Sequence, residues 1–345
     1  MIFAIVLLCF LVLSLFGNLT GMMGNLVSSK GKHIRAVGPK LEEVITEDND
    51  ALDKIAVIEV QGIITSGGLD QGGYNMVELI EAQLKHAEDD AKVKAVILKV
   101  DSPGGEVLAS DEIYRSIYDF QKKSRKPVVA SMGNLAASGG YYVSAPCQWI
   151  VANELTITGS IGVIMHSWNY RGLMNKVGLQ PETYKSGKFK DMLSGERNPE
   201  DITPEERAMV QSLIDETYLK FKGVVAKGRA DAREKNQKNG TGEQGRPLVQ
   251  DWEQYADGRV LSGNEAFKLG FVDQKGNFQD AINRAKLLAG VRSANLIQFQ
   301  QHYDISDLFR LFGKSESRVM KLDLGIEAPK LQVGQLYFLA PTFVH

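Results

Sequence analysis

A serine set among small residues and followed by glycine can stand exposed where a strand turns into a helix. Ala136-Ala137-Ser138-Gly139-Gly140-Tyr141-Tyr142 has that composition. Further along the chain, Ser186-Gly187-Lys188-Phe189-Lys190-Asp191 offers a lysine. A lysine that burial strips of its proton can take the proton of a serine hydroxyl. Ser138 and Lys190 together would then make a serine hydrolase that needs no histidine. An amine with an ordinary pKa of about 10.4 is almost never neutral at pH 7, and desolvation can lower a buried one by about 3–5 units. The chemistry therefore asks for a dry site.

Three glycine loops surround this pair in the sequence: Asp101-Ser102-Pro103-Gly104-Gly105, Ala137-Ser138-Gly139-Gly140 and Thr158-Gly159-Ser160-Ile161-Gly162-Val163. A nucleophile on one loop with backbone N–H donors from its neighbour is how an oxyanion hole is assembled. Each loop alone also reads as punctuation before a helix, and a lone lysine as a surface residue. None is a phosphate-binding motif, since neither G-x-x-x-x-G-K-[ST] nor G-x-G-x-x-G occurs. His166 competes as the base. It continues the apolar run Gly162-Val163-Ile164-Met165 and equally reads as a hydrogen-bonded histidine at a strand end. His33, His86, His166, His302 and His345 are scattered and the chain has only two cysteines, so no metal site and no cofactor are expected.

The elements that must position these residues follow from periodicity. Ile55–Val60, Val93–Val100 and Pro127–Met132 are strand-like runs. Between them, 76–87 (Val77, Ile80, Leu84, Ala87) and 106–121 (Ile113, Ile117, Phe120) have helical spacing. This alternation predicts βαβ units, with strands buried on both faces. Short strands are expected at 150–153, 158–164 and 181–185. A helix is expected over 203–229, started by Thr203, Pro204 and the acids Glu205 and Glu206. Residues 230–250 read as an exposed loop, and 263–269, 278–289 and 305–312 as helices. The apolar segment 334–340 reads as a strand that could pair with a neighbour or lie over a site.

The chain has 345 residues, 43% hydrophobic and 24% charged, an ordinary globular composition. Its net charge of −2 gives no case for nucleic acid. Residues 2–23 carry no charge, and Lys30 is the first charged side chain. A spanning helix needs roughly 20 mostly apolar residues, so 1–23 reads as a transmembrane anchor. A cleaved signal peptide, with Gly17, Gly21 and Gly24 near its end, is the alternative. Cys9 lies in that run and Cys147 in the globular part, so no disulfide is expected between them. The anchor is followed by a linker (24–53), a catalytic domain (54–290) and a C-terminal extension (291–345).

Asp101-Ser102-Pro103-Gly104-Gly105, Ala137-Ser138-Gly139-Gly140-Tyr141-Tyr142, Gly159-Ser160-Ile161-Gly162, Lys185-Ser186-Gly187-Lys188-Phe189-Lys190-Asp191 and Asp257-Gly258-Arg259-Val260-Leu261-Ser262-Gly263 occur in that order. Together they resemble the short form of the signal peptide peptidase A family, over about residues 54–290. The resemblance implies an α/β fold of the Clp-protease and crotonase superfamily, built of stacked ββα units. It implies Ser138 as nucleophile, Lys190 as general base and Ser160 as the residue that orients the lysine. It implies the backbone N–H groups of Gly105 and Gly139 as the oxyanion hole. The expected substrates are remnant signal peptides and other small hydrophobic peptides. The expected assembly is a homo-oligomeric ring in which neighbouring protomers supply serine and lysine. The family's catalytic domain lies outside the cytoplasmic membrane, whereas Lys30, Lys32, Arg35 and Lys40 after the anchor favour the cytoplasm by the positive-inside rule. An acyl-CoA enzyme of the crotonase kind and an inactive membrane scaffold are the alternatives on the same fold.

Overall fold

A computed structural model describes residues 38–67, 74–239, 242–301 and 335–340. Strand β1 (Leu41–Glu47) leads to β2 (Lys54–Gln61), helix α1 (Met76–Asp89), β3 (Val93–Ser102), β4 (Gly104–Glu106), α2 (Val107–Ser124) and β5 (Val128–Ala137). The short helix α3 (Gly139–Ser144) follows, then β6 (Trp149–Ala152), β7 (Ile157–Gly159), β8 (Ile164–Met165), α4 (Arg171–Lys176) and the long α5 (Pro204–Lys238). The rest comprises β9 (Val260–Ser262), α6 (Gly263–Leu269), β10 (Gln274–Lys275), α7 (Phe278–Ala289), β11 (Asn295–Gln301) and β12 (Leu336–Leu339).

Nine strands form one sheet in the order β1-β11-β2-β3-β5-β6-β10, with β7 beside the end of β5 and β9 beside β7. The pairings from β11 through β10 are parallel, as is β5 with β7, whereas β1–β11 and β7–β9 are antiparallel. The fold is thus mixed α/β with a predominantly parallel sheet.

Alternate residues of the central strands feed opposite faces. Ala56, Ile58, Val60, Val96, Leu98 and Val100 pack with residues of α1, α2, α3 and α5. Ile55, Ala95, Ile97, Val129 and Val151 pack under Ala281, Ile282, Ala285 and Leu288 of α7. Burial on both faces explains why these strands read as unbroken apolar runs.

Helix starts agree with their caps. Asn75, Thr203, Ser262 and Asn277 each close a capping box with the third helical residue. Helix α5 runs to Lys238, past the expected end near Arg229 and into the stretch expected as a loop. Its charged sequence hides a buried side, where Val225, Gly228, Arg229, Ala232 and Asn236 continue the helical spacing begun at Phe221.

Two further strands come from segments that read as linker and as extension. β1 is an edge strand with no fully buried residue, so it carries no apolar alternation. β11 joins β1 to β2. Residues 181–185 form no strand and are mostly exposed. The apolar N-terminal segment and the helix expected at 305–312 lie outside the described residues. Among the described residues, no helix is long and apolar enough to cross a membrane.

Candidate active site

Ser138 stands between β5 and α3 with φ 54° and ψ −117°, a backbone conformation that a residue with a side chain adopts only at a cost of about 1–3 kcal/mol. Several contacts hold it there. The Ser138 N–H donates to the Gly159 carbonyl at 2.8 Å, and the Tyr142 N–H donates to the Ser138 carbonyl at 2.8 Å. The Tyr141 hydroxyl donates to the Phe271 carbonyl, and that of Tyr142 to Asp111 Oδ1 at 2.7 Å. The side chain is fully buried, and its Oγ has no hydrogen-bond partner among the described residues. A buried hydroxyl left unpaired is costly, and such groups concentrate at reactive positions.

The glycine loops converge on this serine. Ser102 Oγ accepts from the Gly104 N–H at 3.1 Å and turns the chain out of β3 into β4. A methyl group added at Gly139 would lie 3.1 Å from Gly105 N and 2.7 Å from Ser110 Oγ. The backbones of Gly104–Gly105 and Gly139 therefore lie in close contact. Gly105 itself is hemmed by Ile64, whose carbonyl oxygen would be 1.9 Å from an added Cβ. On the other side of Glu106, its carboxylate accepts from Thr65 Oγ1 and from Ser66 N and Oγ, which ties the 62–67 loop to β4. Ser160 follows Gly159, the residue whose carbonyl holds Ser138, and is itself buried at φ 50°. Ser138 and Ser160 thus stand at the adjacent ends of the parallel strands β5 and β7.

Lys190 is elsewhere. It sits on a turn in which Lys190 N donates to the Gly187 carbonyl, within an exposed arm running from Trp168 to Asp201. Lys185 pairs with Asp191 and Lys188 with Glu205, both at 2.6 Å, while Lys190 has no ion-pair partner among the described residues. The arm is tied to the start of α5 through Arg197, which pairs with Glu206 at 2.5 Å and lies 3.7 Å from Asp191. Arg197 and the capping bonds from Thr203 hold the Glu206 carboxyl down at about 2. Trp168, Leu173, Val177, Leu179 and Tyr184 are all more than half exposed on this arm. The serines and glycines of the expected site are brought together within the chain, and the lysine is not.

His166 follows β8 with its Nε2 buried and without a partner among the described residues, so it makes no hydrogen bond to Ser138. No cluster of metal-ligating side chains occurs among the described residues. Three features around the serine escaped sequence reasoning. The Asp111–Tyr142 bond escaped because the pair is far apart in sequence, and the Glu106 clamp because a single acid carries no pattern. The pairing of β12 with β4 was visible only as a late apolar run.

The family model for peptidase family S49 matches residues 120–244 and 243–292. A candidate protease of Synechocystis sp. is 38% identical over 275 residues, 79% of this chain and 88% of its own length. A candidate signal peptide peptidase SppA of Enterococcus faecium is 36% identical over 265 residues, 76% of this chain and 71% of its own. Protease 4 of Haemophilus influenzae is 32% identical over 278 residues, 78% of this chain and 41% of its own.

Proposed function

The chain belongs to peptidase family S49 and is a serine peptidase, and from that premise we propose a membrane-anchored endopeptidase with Ser138 as nucleophile and Lys190 as general base. The observation that carries the reading is the Ser138 turn, strained, buried and with a hydroxyl that has no hydrogen-bond partner among the described residues. In the mechanism, the lysine amine takes the hydroxyl proton as Oγ attacks the peptide carbonyl. The amine then returns the proton to the leaving nitrogen. Ser160 orients the amine. The N–H groups of Gly105 and Gly139 hold the oxyanion, a contribution worth about 10²–10³ in rate per donor.

The exposure of Lys190, the missing partner on Ser138 Oγ and the apolar side chains on the arm support a site shared between protomers of a homo-oligomeric ring. The arm would cross to a neighbour, and closure of that contact would supply the dry surroundings that a neutral lysine needs. The substrates in this reading are remnant signal peptides and other small hydrophobic peptides. The name of the Enterococcus faecium relative supports this choice. The apolar residues 2–23 would hold the chain in the cell membrane as a single pass, with the catalytic domain outside the cytoplasm.

The test is hydrolysis of a fluorogenic hydrophobic peptide by the full chain in detergent, beside Ser138→Ala and Lys190→Ala. Both variants are expected to lose at least about 10³-fold in kcat and to keep their oligomeric size. Activity that survives Lys190→Ala but not His166→Ala would replace the lysine with a histidine base.

A further inference from the structure

Strand β5 does not run straight to Ser138. Its pairing with β3 passes from Val100 opposite Met132 to Ser102 opposite Ala136, so four steps along β5 answer two along β3. The surplus forms a bulge at Gly133-Asn134-Leu135. The strand also changes partner here: Met132 is its last residue opposite β6, and Leu135 its first opposite β7. A bulge bends its strand and re-aims the side chains beyond it. Ser138 comes three residues after Leu135. The direction in which the chain enters the nucleophile's turn is therefore set at this bulge.

Two side chains hold the bulge. Asp101 Oδ1 accepts from the Leu135 N–H at 3.1 Å. Gly133 leaves room for the same carboxylate, since a methyl group there would lie 3.0 Å from Asp101 Cγ and 3.2 Å from its Oδ2. Thr156 Oγ1, just ahead of β7, donates to the Gly133 carbonyl at 2.8 Å. Asp101 also stands at the head of the loop that carries Gly104 and Gly105, and its own carbonyl accepts from the Gly62 N–H at 2.9 Å. One half-buried residue thus joins the strand that delivers Ser138 to the loop that faces it and to the 62–67 loop behind β4. Misplacing a reacting group by 1 Å can cost about 10²-fold in rate, so slack at this junction would be felt at the serine.

Building on the peptidase reading, we propose that Asp101 is a positioning residue for the nucleophile: by accepting from the Leu135 N–H, its carboxylate fixes the bulge that aims Ser138 toward the Gly104-Gly105 loop. What the role requires is an acceptor oxygen at that point, because the partner is a neutral amide. Asp101→Asn keeps such an oxygen and Asp101→Ala removes it.

The test is steady-state hydrolysis of the fluorogenic hydrophobic peptide by the full chain carrying Asp101→Ala, Asp101→Asn or Thr156→Val, with Ser138→Ala as the inactive reference. Asp101→Ala is expected to lower kcat about 10- to 100-fold with KM within about twofold. Asp101→Asn is expected to recover most of that loss, and Thr156→Val to lower kcat with KM unchanged. Peptide affinity, read by anisotropy in the Ser138→Ala background, should be the same with and without Asp101→Ala, which separates aim from docking. An unchanged kcat in Asp101→Ala would overturn the proposal. So would a loss in Asp101→Asn as large as in Asp101→Ala, or a loss expressed in KM or in peptide affinity. Should Asp101→Ala fail to melt cooperatively, Thr156→Val carries the test, and a kcat equal to that of the unaltered chain overturns the role. Hydrolysis that survives Ser138→Ala would sink the peptidase mechanism itself. A dead Ser138→Ala beside a fully active Asp101→Ala would sink only the part given to Asp101.

Discussion

At the scale of single residues, the site is a set of positions where one added atom matters. Gly105→Ala would put a carbon 1.9 Å from the Ile64 carbonyl oxygen, so either β4 or the 62–67 loop must move. The expected outcome is a fall in kcat of about 10² or more with KM little changed, because the N–H it displaces is the one proposed to act on the transition state. Steady-state kinetics on a hydrophobic peptide would check it. Cys147 makes a contrasting case. Burial pushes its thiol up to about 12, so the native protein should resist iodoacetamide at pH 8 and be alkylated there only after unfolding, as mass spectrometry would read. The strand-to-helix turn at Ser138 was legible in the sequence from its small residues and glycines, although the same pattern reads equally as a helix cap. Its strained backbone and orphan hydroxyl were not legible, since the Gly159 carbonyl that accepts from the Ser138 N–H belongs to the neighbouring strand β7.

Elements were read best where local signals fix both ends. α7 begins at Asn277, which caps it, and stops at Gly290 in the left-handed region, so its boundaries match the expected ones. β1 was missed because half-exposed edge residues leave no alternation to read. The start of α5 carries the clearest electrostatic prediction. The Glu206 carboxyl is held at about 2 in the folded chain by Arg197 and Thr203, below its unfolded value of about 4.5. Its contribution is complete above that unfolded value and is lost as pH falls toward the folded one. Melting temperature should therefore fall between pH 5 and pH 2 partly through this group, and Glu206→Gln should flatten that part of the profile. The same variant loosens the arm that bears Lys190, so activity at pH 7 should drop as well.

Across the whole molecule, the helix that follows Ser138 and the end of the sheet are joined by a buried ion pair. Arg229, from α5, pairs with Asp273 and donates to the carbonyls of Ala145 and Cys147, while Asp273 Oδ2 accepts from Ile150 N. Removing one partner strands a buried charge, so Arg229→Met should cost about 3–5 kcal/mol in urea unfolding. Adding Asp273→Leu should return part of that loss. Neither residue stood out in the sequence, because an arginine and an aspartate this far apart acquire meaning only when the fold joins them. A site divided between chains was expected only from the family resemblance, since the motifs around Ser138 and Lys190 lie in order along one chain. Mixing Ser138→Ala with Lys190→Ala subunits should restore activity if sites are shared between chains, and a sized mixture that stays inactive would confine each site to one chain.

The exposed position of Lys190, with no hydrogen bond to the serine it is proposed to serve, has a consequence for dosage. On the shared-site proposal, a protomer that lacks its base until a neighbour arrives is born latent, so newly made chains would pass through the cell without digesting what they meet. Output would then rise more steeply than the amount of protein, with a threshold set by assembly. Serial dilution should show specific activity collapsing over a narrow concentration range, whereas a chain complete in itself would keep the same activity per molecule at every dilution.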